Sequence, residues 1–157
     1  EGDTVFPVSS DSELRYRLAQ ARGYEKTGQR GFMLQEYIPF QYRSLRVAVI
    51  GSRFISYWRV QSNPGVFHAN LSKGAVIDYY SDPKLRDKAI AVLRGFCAKT
   101  GINLAGFDFL FSTDNTPLFL EINYFFGREG LGGSESFYRI LDEEIGIWLD
   151  RLRANAV

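Results

Sequence analysis

The sequence has little of the residue types that build disulfides, zinc sites and membrane spans. It contains one Cys and one His in 157 residues, and a single Cys excludes an internal disulfide and a cysteine-rich zinc site. The net charge is only +1, so composition gives no argument for binding to nucleic acid or to a membrane surface. No stretch approaches the roughly 18 apolar residues of a membrane span. No signal peptide is apparent either, and we therefore predict a cytoplasmic protein.

The composition is otherwise that of an ordinary globular protein. Hydrophobic residues make up 45% of the chain and charged residues 24%, which is enough for one domain with a real core. Helical spacing predicts helices at about residues 11–24, 81–101 and 134–153. Strands are predicted at residues 31–38, 44–50, 53–60, 67–70, 75–79 and in a hairpin near the C-terminal end. We therefore predict a single α+β domain over residues 1–157, with a mostly antiparallel sheet flanked by helices.

The most informative feature is an acidic hairpin at residues 104–123. Two alternating runs flank a turn, and each alternates as a strand with one buried face should. With the turn centred between Asp114 and Asn115, Asp108 falls directly opposite Glu121, and Asn123 shares their face. The other face is predicted to carry Phe107, Phe109, Phe111, Leu118, Leu120 and Ile122.

Opposed acids on a hairpin have two interpretations. Like charges placed directly opposite each other destabilise a sheet, and a bound cation would reverse that effect. Asp, Glu and Asn supply the oxygen ligands that suit Mg²⁺. The alternative is a solvated acidic face that only keeps the hairpin soluble.

A second hairpin predicts a pair of arginines on one face. The two-residue loop at positions 51–52 places Arg46 opposite Tyr57 and Ser44 opposite Arg59. Two arginines so close suggest a shared anionic partner such as phosphate or carboxylate. The alternative is two solvated arginines on an open face.

The loop at residues 65–74 concentrates polar groups between apolar strands. His68, Asn70, Ser72 and Lys73 can all donate hydrogen bonds. A lone His is more often structural than catalytic, so Lys73 is the better candidate for a phosphate contact.

Five motifs, taken in order, resemble the ATP-grasp ligases. They read QEYI, SLRVAVIG, R…FHANLSKGA, AGFDFLF and PLFLEIN…G, between Met33 and Gly130. The resemblance is closest to the branch that includes ribosomal-protein glutamate ligase, and more distant to glutathione synthetases. It implies the carboxyl-terminal subdomain of the ATP-grasp fold. It also implies an ADP-forming carboxylate–amine or carboxylate–thiol ligase that uses ATP with Mg²⁺ or Mn²⁺ and forms an acyl-phosphate.

The resemblance also implies roles for individual residues. The expected metal ligands are Asp108, Glu121 and Asn123. The residues expected to face the reacting phosphates are Arg46, Arg59 and Lys73. The residues expected to hold or line the nucleotide are Glu36, Tyr37, His68 and Asn70.

Some positions depart from the pattern of the branch. His68 and Ala69 replace the Arg-Ser that is usual in the branch. Ser44 stands where the branch often has an acid, so a contact from Ser44 to the ribose or to a nearby basic residue is in doubt. Residues 124–126 are aromatic where the branch has small residues and Pro, which indicates a different acceptor substrate.

The resemblance covers only part of an ATP-grasp enzyme. The family's lysine-bearing strand and glycine-rich flap precede the helix that begins near residue 11, and EGDTVFPV has no Lys. We therefore expect residues 1–157 to be a partial ATP-grasp domain that is inactive by itself and able to pair with a second copy. The expected partners are ATP, a carboxylate substrate, and an amine or thiol acceptor such as an amino acid or peptide. Two other functions remain open, a non-catalytic nucleotide-binding regulatory module and a structural interaction domain.

Overall fold

The computed structural model describes residues 5–25, 28, 31–39, 41–63 and 69–155. These belong to two compact units, residues 1–38 and residues 39–157. The first unit contains helix α1 (Asp11–Tyr24), at the predicted bounds. The helix begins there because the Ser10 hydroxyl accepts the Glu13 N–H at 3.2 Å, while the Glu13 carboxylate accepts the Ser9 N–H at 3.0 Å. The first bond is that of a capping box, whereas the second reaches Ser9, the residue before the N-cap, instead of Ser10 itself.

The predicted strand over residues 31–38 is wrong. Residues 31–39 form no strand, and Phe32, Met33 and Leu34 are exposed. Alternating apolar residues describe the two faces of a strand, but the strand forms only where a neighbour pairs with its backbone. No strand of the described residues pairs with this segment.

The second unit is a five-stranded antiparallel sheet with two long helices, and the predicted α+β class is confirmed. The sheet order is β3-β2-β1-β4-β5. The strands are β1 (Arg43–Ile50), β2 (Arg53–Val60), β3 (Val76–Asp78), β4 (Leu104–Phe111) and β5 (Pro117–Asn123). The helices are α2 (Pro83–Thr100) and α3 (Gly133–Asn155). No helix in the described ranges is both long and apolar enough to cross a membrane.

Alternation along the strands divides the core into two faces. The face under α2, called the α2 face, packs Leu45, Val47, Val49, Trp58, Phe107 and Phe109 against Ala89 and Leu93. The opposite α3 face packs Ala48, Ile50 and Tyr57 against Leu131, Phe137 and Ile140. Neighbouring residues of one strand therefore serve different cores, as the period of two requires.

The β1–β2 hairpin has the predicted two-residue loop. Gly51 adopts φ +58°, which favours glycine, and any side chain there would collide with Glu144 of α3. The Glu144 carboxylate accepts the Ser52 N–H at 2.6 Å and the Arg53 Nε–H at 3.0 Å. The Ser52 hydrogen bond, with Arg53 adding to it, lowers the pKa of Glu144. Helix α3 is therefore tied to this turn.

A β-bulge in the β4–β5 hairpin corrects the predicted register near the turn. The pairing shifts between Asp108 and Phe109, so that Phe109 faces Phe119. The expectation that Leu118 lies on the aromatic face is wrong, because Leu118 pairs with Leu110, and Leu120 lies at the register shift itself. The ring of Phe119 lies on the aromatic face instead, about 6 Å from the rings of Phe96, Phe107 and Phe109.

The two long helices also differ in detail from the predictions. Asp82 (φ +46°), one residue after the predicted start at Ser81, occupies the N-cap position of α2, and its carbonyl accepts the Arg86 N–H at 3.2 Å. The Ser81 carbonyl accepts the Trp58 Nε1–H at 2.8 Å.

In α3, helical spacing places Phe137, Ile145 and Trp148 on one apolar stripe, of which Phe137 is buried but Ile145 and Trp148 are exposed. The buried residues of α3 are Phe137, Ile140 and Glu144, and none of its described residues after Glu144 is buried.

The predicted strand at residues 67–70 lies partly outside the described residues. Residues 69–70 form no strand, and Asn70 instead precedes a 3₁₀ turn at Leu71–Lys73. The predicted strand at residues 75–79 is present in shortened form as β3.

Candidate functional site

A row of polar side chains crosses the α3 face of the sheet. Arg46 of β1 lies opposite Tyr57 of β2 and opposite Asp108 of β4. Asp108 in turn lies opposite Glu121 of β5. Residues paired in this way share one face. Both predicted pairings, Arg46 with Tyr57 and Asp108 with Glu121, are confirmed.

Asp108 is the anionic partner that the two arginines share. Arg46 holds both carboxylate oxygens, through Nε to Oδ1 and through Nη2 to Oδ2 at 2.8 Å. Arg59 Nη2 lies 2.9 Å from the same Oδ2. Arg46 and Arg59 are only 7% and 8% exposed, so the alternative of two solvated arginines is wrong.

The electrostatics of this cluster favour ionised groups. Burial by itself would raise the pKa of Asp108, which is 1% exposed, but the Arg46 hydrogen bond and the charges of both arginines outweigh it and hold that pKa below its ordinary value. Burial would likewise lower the pKa of Arg46, yet the bonds to Asp108 raise it. A solvated acidic face is therefore the wrong description of Asp108.

The three predicted metal ligands converge. The Asn123 amide nitrogen donates to Glu121 Oε1 at 3.0 Å and lies 3.5 Å from Asp108 Oδ2. Glu121 is exposed and Asn123 is half-buried. Two carboxylates and one amide oxygen suit Mg²⁺, so these donors fit the ion in kind. The described residues contain no group of three or more His, Cys, Asp or Glu that could hold a metal. An ion bound here would therefore use the amide oxygen of Asn123 together with the two carboxylates.

Two glycines that the sequence reasoning missed shape the arginine site. A Cβ at Gly106 would lie 3.1 Å from Arg46 Nη1 and 3.0 Å from Phe126. A Cβ at Gly130 would overlap the ring of Tyr57, and burial of that ring raises the pKa of Tyr57. Gly106 lies inside a strand pattern, which is a known signal of close approach.

Ser44 contacts a basic residue, although it replaces an acid. Its hydroxyl accepts Arg59 Nε–H at 3.2 Å and Nη2–H at 2.9 Å. Ser44 is buried, so it helps to orient the guanidinium on which the Asp108 contact depends.

The remaining predicted residues are not strand residues of the sheet in the described part of the chain. Asn70 precedes the 3₁₀ turn that leads into β3, and Lys73 is the last residue of that turn. Glu36 and Tyr37 belong to the first unit, where both are exposed. His68 lies outside the described residues. The nucleotide and phosphate roles of these five residues stay predictions.

Comparison with known proteins identifies the family. The family model described as the RimK-like ATP-grasp domain matches residues 2–140. The chain belongs to this family. The resemblance stated from the sequence motifs is thereby confirmed.

Curated relatives of this ATP-grasp chain carry the name of one kind of ligase. It is 32% identical over 128 residues to "Probable alpha-L-glutamate ligase 2" of Shewanella baltica (strain OS155 / ATCC BAA-1091), covering 80% of this chain and 39% of that protein. It is 35% identical over 105 residues to a protein of that name from Shewanella sp. (strain W3-18-1), covering 65% of this chain and 33% of that protein. The chain thus spans about two fifths or less of the length of these relatives.

Among solved structures, the ATP-grasp chain is similar to the macrocyclase MdnB from Microcystis aeruginosa MRC. The match covers 90% of this chain and 42% of that one, with 19% identity and a TM-score of 0.42. A likeness this distant carries no conclusion about function.

Proposed function

We propose that the protein is an ATP-dependent carboxylate–amine or carboxylate–thiol ligase that acts through an acyl-phosphate. The observation that supports this most is the convergence of Arg46, Arg59, Asp108, Glu121 and Asn123 on one sheet face, in a chain of the ATP-grasp family. In the proposed reaction a substrate carboxylate oxygen attacks the γ-phosphorus of ATP and ADP leaves. The amine or thiol then attacks the acyl carbon, loses a proton, and displaces phosphate.

The residues of the cluster have distinct proposed roles. Asp108, Glu121 and Asn123 would hold Mg²⁺ or Mn²⁺, which when bound neutralises phosphate oxygens. Arg46 and Arg59 stabilise the charge that develops on the transferred phosphoryl group and on the tetrahedral oxyanion, because phosphoryl transfer depends chiefly on positioning and electrostatics. Lys73 contacts phosphate in this proposal. The nucleotide is held by the set Glu36, Tyr37, His68 and Asn70.

The substrates are proposed from the relatives and from the surface beside the cluster. The relatives' printed name, alpha-L-glutamate ligase, favours an amino acid as one substrate and an amino acid or peptide as the other. Tyr124 and Phe125 follow Asn123 directly and are 61% and 96% exposed, so they offer apolar contact to an acceptor at this site. A cytoplasmic location stays a prediction.

The test is Mg²⁺-dependent ADP formation by the full-length protein that contains this sequence. We expect Arg46→Lys and Glu121→Gln each to lower kcat by about 10²-fold or more, as loss of a preorganised charge contact does. Lys keeps the charge of Arg46 but lacks its two-pronged donor geometry. The matched controls are the exposed residues Arg153 and Glu135, as Arg153→Lys and Glu135→Gln, which should keep full activity.

Other outcomes would favour the alternative functions. Nucleotide binding without turnover in the full-length protein would favour a regulatory module. Absence of any thermal shift with MgADP would favour a structural interaction domain. Full activity of both Arg46→Lys and Glu121→Gln would contradict the proposed roles of the cluster.

A further inference from the structure

We propose that the ion pairs of Arg46 and Arg59 with Asp108 form an arginine latch that opens only when a cation and an anion bind together. This inference rests on the proposed function, and it concerns how the same site is regulated. In the latched state the two arginines are held by a protein carboxylate. In the open state they are held by phosphate oxygens, and the cation holds Asp108.

The latch leaves Asp108 poorly available to a cation. Three charged N–H groups bond its two oxygens, out of about four lone-pair positions that a carboxylate offers. A Mg²⁺ ion requires ligand oxygens at about 2.0–2.1 Å in octahedral geometry. Two guanidinium groups within 3 Å of those oxygens both fill that space and repel the ion. The cation therefore gains full access to Asp108 only when the arginines leave.

The orientation of Asn123 supports the same conclusion. Its amide nitrogen points toward both Glu121 and Asp108, at 3.0 Å and 3.5 Å. A cation would need the amide oxygen in that position, because nitrogen of an amide is not a ligand for Mg²⁺. Cation binding would therefore require the Asn123 amide to rotate so that its oxygen faces the ion.

The arginines cannot leave without a replacement anion. Both are buried, and a buried charge without a partner is strongly unfavourable. Phosphate oxygens accept the same forked donors as a carboxylate. Gly106 lets the guanidinium pack closely against β4, because an added Cβ there would lie only 3.1 Å from Arg46 Nη1. The anion releases Asp108 for the cation by holding the arginines, and the cation releases the arginines for the anion by holding Asp108. Each ligand therefore raises the affinity of the other by the same factor.

The experiment titrates the full chain with Mg²⁺, with and without inorganic phosphate, and follows the arginine Nε–H resonances by NMR. Arg46→Lys assigns the Arg46 signal. We expect phosphate to raise Mg²⁺ affinity by about 5- to 150-fold, the usual range of coupling between sites. Binding of both should shift the Arg46 Nε–H resonance. In Arg46→Lys, Mg²⁺ alone should bind about tenfold or more tightly, because one charged hydrogen bond no longer competes.

The control is Arg139→Lys, an exposed arginine on α3 whose i,i+4 pair with Glu143 lies outside the cluster. It should bind Mg²⁺ as the parent chain does. Because Lys retains the charge, a gain in Arg46→Lys reports on the forked geometry and not on net charge. Mg²⁺ binding that is independent of phosphate and leaves the Arg46 resonance unchanged would overturn the latch alone. If neither the parent chain nor Arg46→Lys binds Mg²⁺ at any phosphate concentration, the proposed metal site is overturned together with the latch.

Discussion

The α2 face and the α3 face of the sheet come from the same strands but have different compositions. On β1, Val47 is fully buried in the apolar core under α2, while its neighbour Arg46 joins the ion cluster. On β4, Phe107 and Asp108 divide in the same way. The comparison teaches that adjacent positions of one strand can carry separate tasks. One face can be packed with apolar side chains throughout, while the other holds a charged cluster beside its apolar core.

The two faces also differ in what their burial contributes. A fully buried large apolar side chain stabilises a fold by about 1.5–3 kcal/mol. A buried ion pair contributes little net stability, because desolvation offsets the attraction, although breaking it by removing one partner is costly. The apolar cores under α2 and under α3 therefore account for most of the stability, whereas the ion cluster is better explained by a chemical role.

The largest expected effect comes from the α2 face. Phe107→Ala removes a fully buried ring that packs against Phe96 and Phe119, and it should lower the free energy of unfolding by about 3–5 kcal/mol. Urea unfolding followed by circular dichroism measures this. The exposed Phe125 provides the control, since Phe125→Ala should change stability by no more than about 0.5 kcal/mol. Equal losses of unfolding free energy in the two variants would contradict the distinction between the buried core and the exposed Phe125.

The next effect comes from the ion cluster. Asp108→Asn leaves two buried arginines without their carboxylate, and we expect a loss of about 3 kcal/mol, at the lower end for a broken buried pair. Its matched control is Glu121→Gln, the exposed residue directly opposite, which should be neutral or slightly stabilising within about 0.5 kcal/mol. The same unfolding measurement applies. A neutral Asp108→Asn would mean that the cluster does not hold the fold together.

The smallest effect is a pH dependence. The pKa of Asp108 is lowered from 3.8 in the folded chain, so its contribution to stability is fully present above that value and is lost as the pH falls through the lower folded pKa. We expect the parent chain to lose stability more steeply than Asp108→Asn below about pH 4. Glu144 has a lowered pKa of the same sign and remains in both chains. Parallel stability curves for the two chains would contradict this assignment.

Local patterns in the sequence predicted the site better than they predicted the packing around it. The loop at residues 51–52 and the strand alternation were enough to pair Arg46 with Tyr57 and Asp108 with Glu121. The second pairing is correct although the register near the turn is not, because the bulge shifts the strand by one residue between the turn and the acids. The bulge brings the ring of Phe119 onto the aromatic face, and strand alternation alone cannot predict where an extra residue is inserted.

Features that depend on distant contacts were missed. The segment at residues 31–38 has a strand pattern but no pairing strand in the described part of the chain. The shared carboxylate of Arg46 and Arg59 could not be predicted either, because it requires β1 to lie beside β4, a neighbour that is distant in sequence. Gly106 carried a usable signal, since glycine inside a strand often marks a close approach.

The contact between Glu144 and the turn at Ser52 has a consequence for hydrogen exchange. A backbone amide in a two-residue surface turn normally exchanges with solvent quickly, because only water bonds it. The Ser52 amide instead donates to the carboxylate of a residue on α3. Its exchange rate should therefore report how often α3 separates from the hairpin. This one amide would then measure a local opening of the domain.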